Sequence, residues 1–203
     1  HFSNIIMANC AKVINDSLLD CQNKSTGGLE QVVKLINRDN LIAELGNFTI
    51  ERSVGATCQH TITAYNGDPQ DLEAVTYEGI PSKQLLSSSY GISIGDYADL
   101  FTHTVNLFSQ GMTLATVCNL KALSVGAEVV AIVHQRDKGT NNEDAFWVYG
   151  FDNGLKVGEF TWSSNENNGN SIIPLTSREP NLEKDPPLRL LFTDYTTTKA
   201  FFD

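Results

Sequence analysis

Ser93 stands in Gly91-Ile92-Ser93-Ile94-Gly95, the Gly-x-Ser-x-Gly pattern of hydrolase nucleophiles. That chemistry needs a strand feeding a strained turn and then a helix, with an acid and a histidine following in chain order. Here polar Ser87 to Tyr90 precede the motif and a strand-like run follows it, so no nucleophile is expected. His60, His103 and His134 fall in predicted strands, and none has a His or Cys partner at ligand spacing. His103 and His134 could meet if their strands were neighbours; otherwise they are packed strand histidines. Acidic groups gather at Asp68, Asp71 and Glu73, at Asp96 and Asp99, and at Glu143 and Asp144. Calcium would need carbonyls from a tight loop as well, and no EF-hand pattern is present, so these read as solvated acids. Trp147, Tyr149 and Phe151 alternate along one predicted strand face, as a sugar-stacking strip or, more commonly, as cross-strand core packing. Cys10, Cys21, Cys58 and Cys118 form no Cys-x-x-Cys pair, which disfavours zinc ribbons and thioredoxin-like sites. Cys10 and Cys21 could pair, but free thiols are expected in a chain this long. The expectation is no catalytic residue, no cofactor, no metal site and no enzyme.

The elements that would carry these residues are mostly strands. Residues 126–162 set the frame, with strand-like runs at Ala127 to Gln135, Ala145 to Phe151 and Leu155 to Trp162. The first is β-branched and too apolar for an exposed strand. Asp152-Asn153-Gly154 is a hairpin signal, because Asn-Gly accepts positive φ readily, so the three runs read as an antiparallel meander. Further strands are expected at Leu29 to Ile36, Phe48 to Arg52, Gln59 to Tyr65, Leu72 to Tyr77, Leu100 to Ser109, Ser171 to Thr176 and Leu188 to Phe192. Residues 112–124 form the best helix, with Leu114, Val117, Cys118 and Ala122 at helical spacing and Gly126 just beyond its end. A helix of that kind should cover one opening of a β structure. Residues 79–99 carry Pro81, Ser87 to Ser89, Gly91 and Gly95 without strong periodicity, and read as one long loop. The chain therefore divides into an N-terminal arm at 1–24, with weak helical spacing over 7–21, and a single β domain at 25–203. That domain ends in a segment, 193–203, whose Phe201 and Phe202 need something to pack on. The fold class is mainly β, an antiparallel sandwich or barrel flanked by one helix, because strands do not alternate with helices.

Composition bounds the partners. The 203 residues are 41% hydrophobic and 19% charged, an ordinary balance for a globular domain. A net charge of −10 argues against a protein that grips nucleic acid through phosphates, though not against a surface that DNA slides past. No apolar run is long enough to span a membrane, so no membrane insertion is expected. The opening residues lack a basic region followed by an apolar block, and the Asn-x-Ser/Thr sequons at Asn15, Asn23 and Asn47 then read as chance.

A helix, the run VVAIVHQRDKG, then AFWVYGFDNGLKV, a polar Asn-rich tip and a strand ending SIIPLTSREPN together resemble small structural proteins of tailed bacteriophages. The likeness extends to a group from phages of Bacteroidetes hosts, with an opening like MANCAKVINDSLLDCQNKSTGGLEQVVKLINRDN and an ending like FTDYTTTKA. The pattern is similar to that of tail tube proteins. The resemblance implies a β-sandwich or barrel flanked by one helix, assembling into stacked hexameric rings that form a DNA-conducting channel. It implies a virion protein assembled in the bacterial cytoplasm. Its partners would be copies of itself, other tail or head proteins, and double-stranded DNA passing non-specifically. It brings no catalytic residues. Such a subunit would use 79–99 and both termini as inter-subunit contacts. Rival readings are a capsid decoration, head-completion or tail-terminator protein, and a carbohydrate-binding or adhesive β-sandwich.

Overall fold

In the computed structural model, residues 27–53, 59–80, 82–96 and 98–203 are described. The proposed arm at 1–24, the helical spacing over 7–21, the sequons at Asn15 and Asn23, and Cys10, Cys21 and Cys58 lie outside them. Among the described residues eleven strands form two open sheets, and the expected β-sandwich with a flanking helix is what the chain adopts. The sheets do not close into a barrel; among the described residues there are three α-helices, one the expected flanking helix and one in the terminal segment, where a short helix or arm is expected.

The larger sheet contains β1 (Leu29–Asn37), β2 (Phe48–Ser53), β3 (Gln59–Tyr65), β4 (Val75–Glu78), β7 (Val129–Gln135), β8 (Phe146–Tyr149) and β11 (Leu188–Leu190), in the order β2-β3-β11-β8-β7-β1-β4. Its neighbours are antiparallel except β3 and β11. The smaller sheet has β5 (Ser87–Ser93), β6 (Leu100–Ser109), β9 (Lys156–Val157) and β10 (Ser171–Thr176), in the order β5-β6-β10-β9. Helices α1 (Arg38–Ala43), α2 (Leu114–Val125) and α3 (Tyr195–Phe202) complete it.

Two cores result, one on each face of the larger sheet. Between the sheets, Val33 and Leu35 of β1, Ala131 and Val133 of β7 and Tyr149 of β8 meet Val105 and Leu107 of β6 and Ile173 and Leu175 of β10. On the opposite face, Val130 and Ile132 of β7 and Phe146 and Val148 of β8 pack with Leu41 of α1, Leu72 and Phe202 of α3. This explains why β7 is apolar without alternation: both of its faces are covered.

Four local expectations need correction. The three runs of 126–162 are not a meander. β7 and β8 pair, but β9 joins β10 in the other sheet, and the third run meets β7 by a bridge from Leu155 to Val129. Gly150 and Gly154, at φ +74° and +82°, turn the chain out of one sheet and into the other. The same turn at Gly150 breaks the alternation, so Phe151 joins Phe146 and Val148 in the second core while Trp147 and Tyr149 face the first. Residues 79–99 are not one loop: seven of them are β5, paired in register with β6 from Ser87↔Asn106 to Ser93↔Leu100. Strand propensity is low there, and pairing with a neighbour overrides it. Leading into β5, buried Gln31 accepts hydrogen bonds from Leu85 N and Leu86 N, and Leu86 is fully buried.

The predicted helix exists, but its expected face does not face inward. Leu123 is buried and Leu120 packs against the inter-sheet core, whereas Leu114 is 81% exposed and Val117 and Cys118 are also exposed. Its ends follow the sequence signals. The Thr113 side chain accepts from Thr116 N, and Gly126, at φ +114°, closes the C-terminus. The terminal segment also finds its partner within the chain. Asp194 caps α3 by accepting from Thr197 N, Phe202 is only 4% exposed, and Phe201 packs on Tyr65 and Phe192.

Candidate assembly surface and inter-sheet cleft

β5 is an edge strand, and its second hydrogen-bonding edge pairs with no strand among the described residues. Its register with β6 sets the side chains. Ser88 opposes Val105, Tyr90 opposes His103 and Ile92 opposes Phe101, while Ser87, Ser89 and Gly91 point the other way. The larger sheet does not cover this end of β5. Tyr90, Ile92 and Ile94 are therefore 59%, 66% and 87% exposed. A row of apolar side chains beside an unpaired backbone edge is a template for another chain. A second exposed apolar group lies on and beside α2, made by Met112, Leu114, Val117 and Val125.

The outer face of the smaller sheet has a different character. Thr104 Oγ1 lies 3.1 Å from Thr176 Oγ1, and Asn106 Nδ2 donates to Ser87 Oγ at 2.9 Å. With Ser89 and Thr102 this makes a hydroxyl and amide face without charge on β5 and β6.

Between the inner side of β5 and strands β3, β8 and β11 opens a cleft of about 770 Å³, walled by Tyr90, Trp147, Tyr149, Arg52, Arg189 and Asp144. The Trp147 ring is fixed by an Nε1–H bond to the Asp144 carbonyl at 2.7 Å. Arg189 reaches Asp144 Oδ1 at 3.3 Å and donates from Nε to Thr61 Oγ1 at 3.1 Å. Arg52 pairs with Asp152 at 2.9 Å and with Asp185 at 3.1 Å. His60 Nε2 lies 2.9 Å from the Pro186 carbonyl oxygen.

Of the residues singled out in the sequence, His60, Asp144, Trp147 and Tyr149 meet at this cleft, and the others are dispersed. Ser93 is the last residue of β5, and no helix stands between it and β6 among the described residues, so it does not sit on the strand–turn–helix of a nucleophile elbow. His103 and His134 do not meet: His103 lies in the smaller sheet and His134 in the larger. His103 accepts from Gly150 N through Nδ1 at 3.1 Å and sits near Tyr149. Its pKa is lowered to about 4, because burial outweighs the Asp185 carbonyl that favours the charged form. His134 stacks on Phe146 at 4.4 Å beneath α3 and is likewise lowered to about 4, by burial and then by the Lys138 charge. Of the acids, Asp68 caps a turn by accepting from Gln70 N, and Asp144 holds Arg189. Among the described residues, no three His, Cys, Asp or Glu side chains are grouped to hold a metal ion.

One acid gave no sequence signal and carries much of the local structure. Glu183 is buried in the Pro- and charge-rich stretch before β11, and its carboxylate accepts from Asp152 N and Asn153 N, both at 2.9 Å. Its backbone exchanges two hydrogen bonds with Phe101 at the start of β6. Burial pushes its carboxyl pKa up against the pull of those N–H donors.

Comparisons with protein-family models, curated proteins and solved structures give no match to this chain.

Proposed function

We propose that the chain is a self-assembling structural subunit of a tailed-phage virion, a tail tube protein that forms stacked rings around a DNA channel. The observation that carries this reading is the open edge of β5 with Tyr90, Ile92 and Ile94 exposed beside it. Continuing the smaller sheet into a neighbouring copy would satisfy that edge and cover Ile92 and Ile94, leaving Tyr90 on the cleft. The separate apolar group at α2 supplies a second contact direction, which an assembly growing by both ring closure and stacking requires. The uncharged hydroxyl face of β5 and β6 and the net charge of −10 suit a wall that does not hold a passing phosphate backbone. The resemblance to tail tube proteins supplies the hexameric symmetry and the virion setting.

Negative-stain electron microscopy across a concentration series tests this. The expected result is rings or tubes for the native chain and their loss in Ile94→Lys, which adds charge at a largely exposed position and leaves folding intact. Uniform monomers at every concentration, also in the presence of the other tail proteins, would overturn the tube reading in favour of a decoration protein.

A further inference from the structure

The cleft beneath β5 is not needed for pairing through the β5 edge, and its chemistry is specific. Two arginines face two aspartates, Arg189 with Asp144 and Arg52 with Asp185, so the charged lining is balanced. A phosphate or carboxylate ligand would meet two carboxylates and only cations that are already paired. The remaining walls are aromatic, with Tyr90 and Trp147 partly open to solvent and the Trp147 ring fixed by its bond to the Asp144 carbonyl. Paired carboxylate and guanidinium groups offer acceptors and donors in fixed planes, which suits vicinal hydroxyl groups. Aromatic faces suit the apolar C–H faces of a pyranose ring. The volume of about 770 Å³ lies in the usual range for a small-molecule cleft.

We propose that the cleft between β5 and strands β3, β8 and β11 binds a neutral oligosaccharide. Tyr90 and Trp147 stack on its rings, and Asp144 and Arg189 hydrogen-bond its hydroxyls. Glycan recognition then belongs to the folded subunit and does not depend on ring formation.

The test uses the full chain carrying Trp162→Phe, so that fluorescence reports Trp147. Maltotriose, cellotriose and tri-N-acetylchitotriose are the neutral probes, and sialyllactose is the charged one. The expected result is a saturable change with at least one neutral trisaccharide, weakened about tenfold by Tyr90→Ala and by Asp144→Asn with thermal unfolding unchanged. No saturation with any neutral probe up to about 20 mM would overturn the proposal, given that weak specific sites bind in the millimolar range. So would binding of sialyllactose alone, or binding unaffected by either substitution. Ile94→Lys separates the two readings, because it should abolish assembly and leave trisaccharide binding intact.

Discussion

Glu183 shows how much one side chain can organise. Its carboxylate holds the turn at Asp152 and Asn153, where the chain leaves the larger sheet, while its backbone holds the start of β6. Removing the carboxylate would leave two N–H groups without their acceptor, so Glu183→Ala should destabilise the fold by about 3 kcal/mol, read by urea denaturation. Glu183→Gln keeps one acceptor oxygen without the buried charge and should cost less than half of that. The two buried histidines set the acid response. Each has a folded pKa of about 4 against 6.5 in the unfolded chain, so the unfolded state takes up protons first as pH falls. Their contribution is fully present above pH 6.5 and is lost between 6.5 and about 4. The loss is at most about 3 kcal/mol for each. Glu183, with its pKa raised, acts in the opposite sense and moderates the fall. His134→Gln should flatten the dependence of stability on pH between 7 and 5, measured as urea midpoints; an unchanged slope would show that His134 does not contribute.

At the scale of elements, strands that alternate or carry continuous β-branched runs were legible. β6, β7 and β10 fall where their patterns place them, β10 over the same residues, Ser171–Thr176. β5 was not legible. Its Ser-Ser-Ser-Tyr-Gly stretch has neither periodicity nor a sheet-forming composition, and its conformation comes from pairing with β6. The α2 spacing marks a helix and leaves its stripe exposed, because spacing identifies a face without saying what lies against it. Of the cleft, His60, Asp144, Trp147 and Tyr149 stand out in the sequence, though nothing there says that they meet. Arg52, Tyr90 and Arg189 come from three other strands, and local sequence cannot show their convergence. The strand assignment also changes how the 79–99 segment can be tested. Deleting 80–98 would remove β5 and fully buried Leu86 and so disrupt the fold itself. Charge placed at Ile92 or Ile94 interrogates the surface alone.

At the scale of the whole molecule, the two apolar cores share one wall. Val129, Ala131 and Val133 belong to the inter-sheet core, while Val130 and Ile132 belong to the core under α1 and α3, all on β7. Neither layer can separate without stripping one side of that strand, so the cores should melt together. Calorimetry should show one transition for the isolated subunit, and Ile132→Ala should shift it as a unit, at a cost of about 3 kcal/mol. Amide hydrogens of β7 should then exchange with deuterium only by global opening, the slowest in the chain, while those on the open edge of β5 exchange through local fluctuations. In an assembled particle that contrast would narrow through β5 alone: a neighbour's backbone would protect its edge, leaving β7 at the limit already set within a single copy.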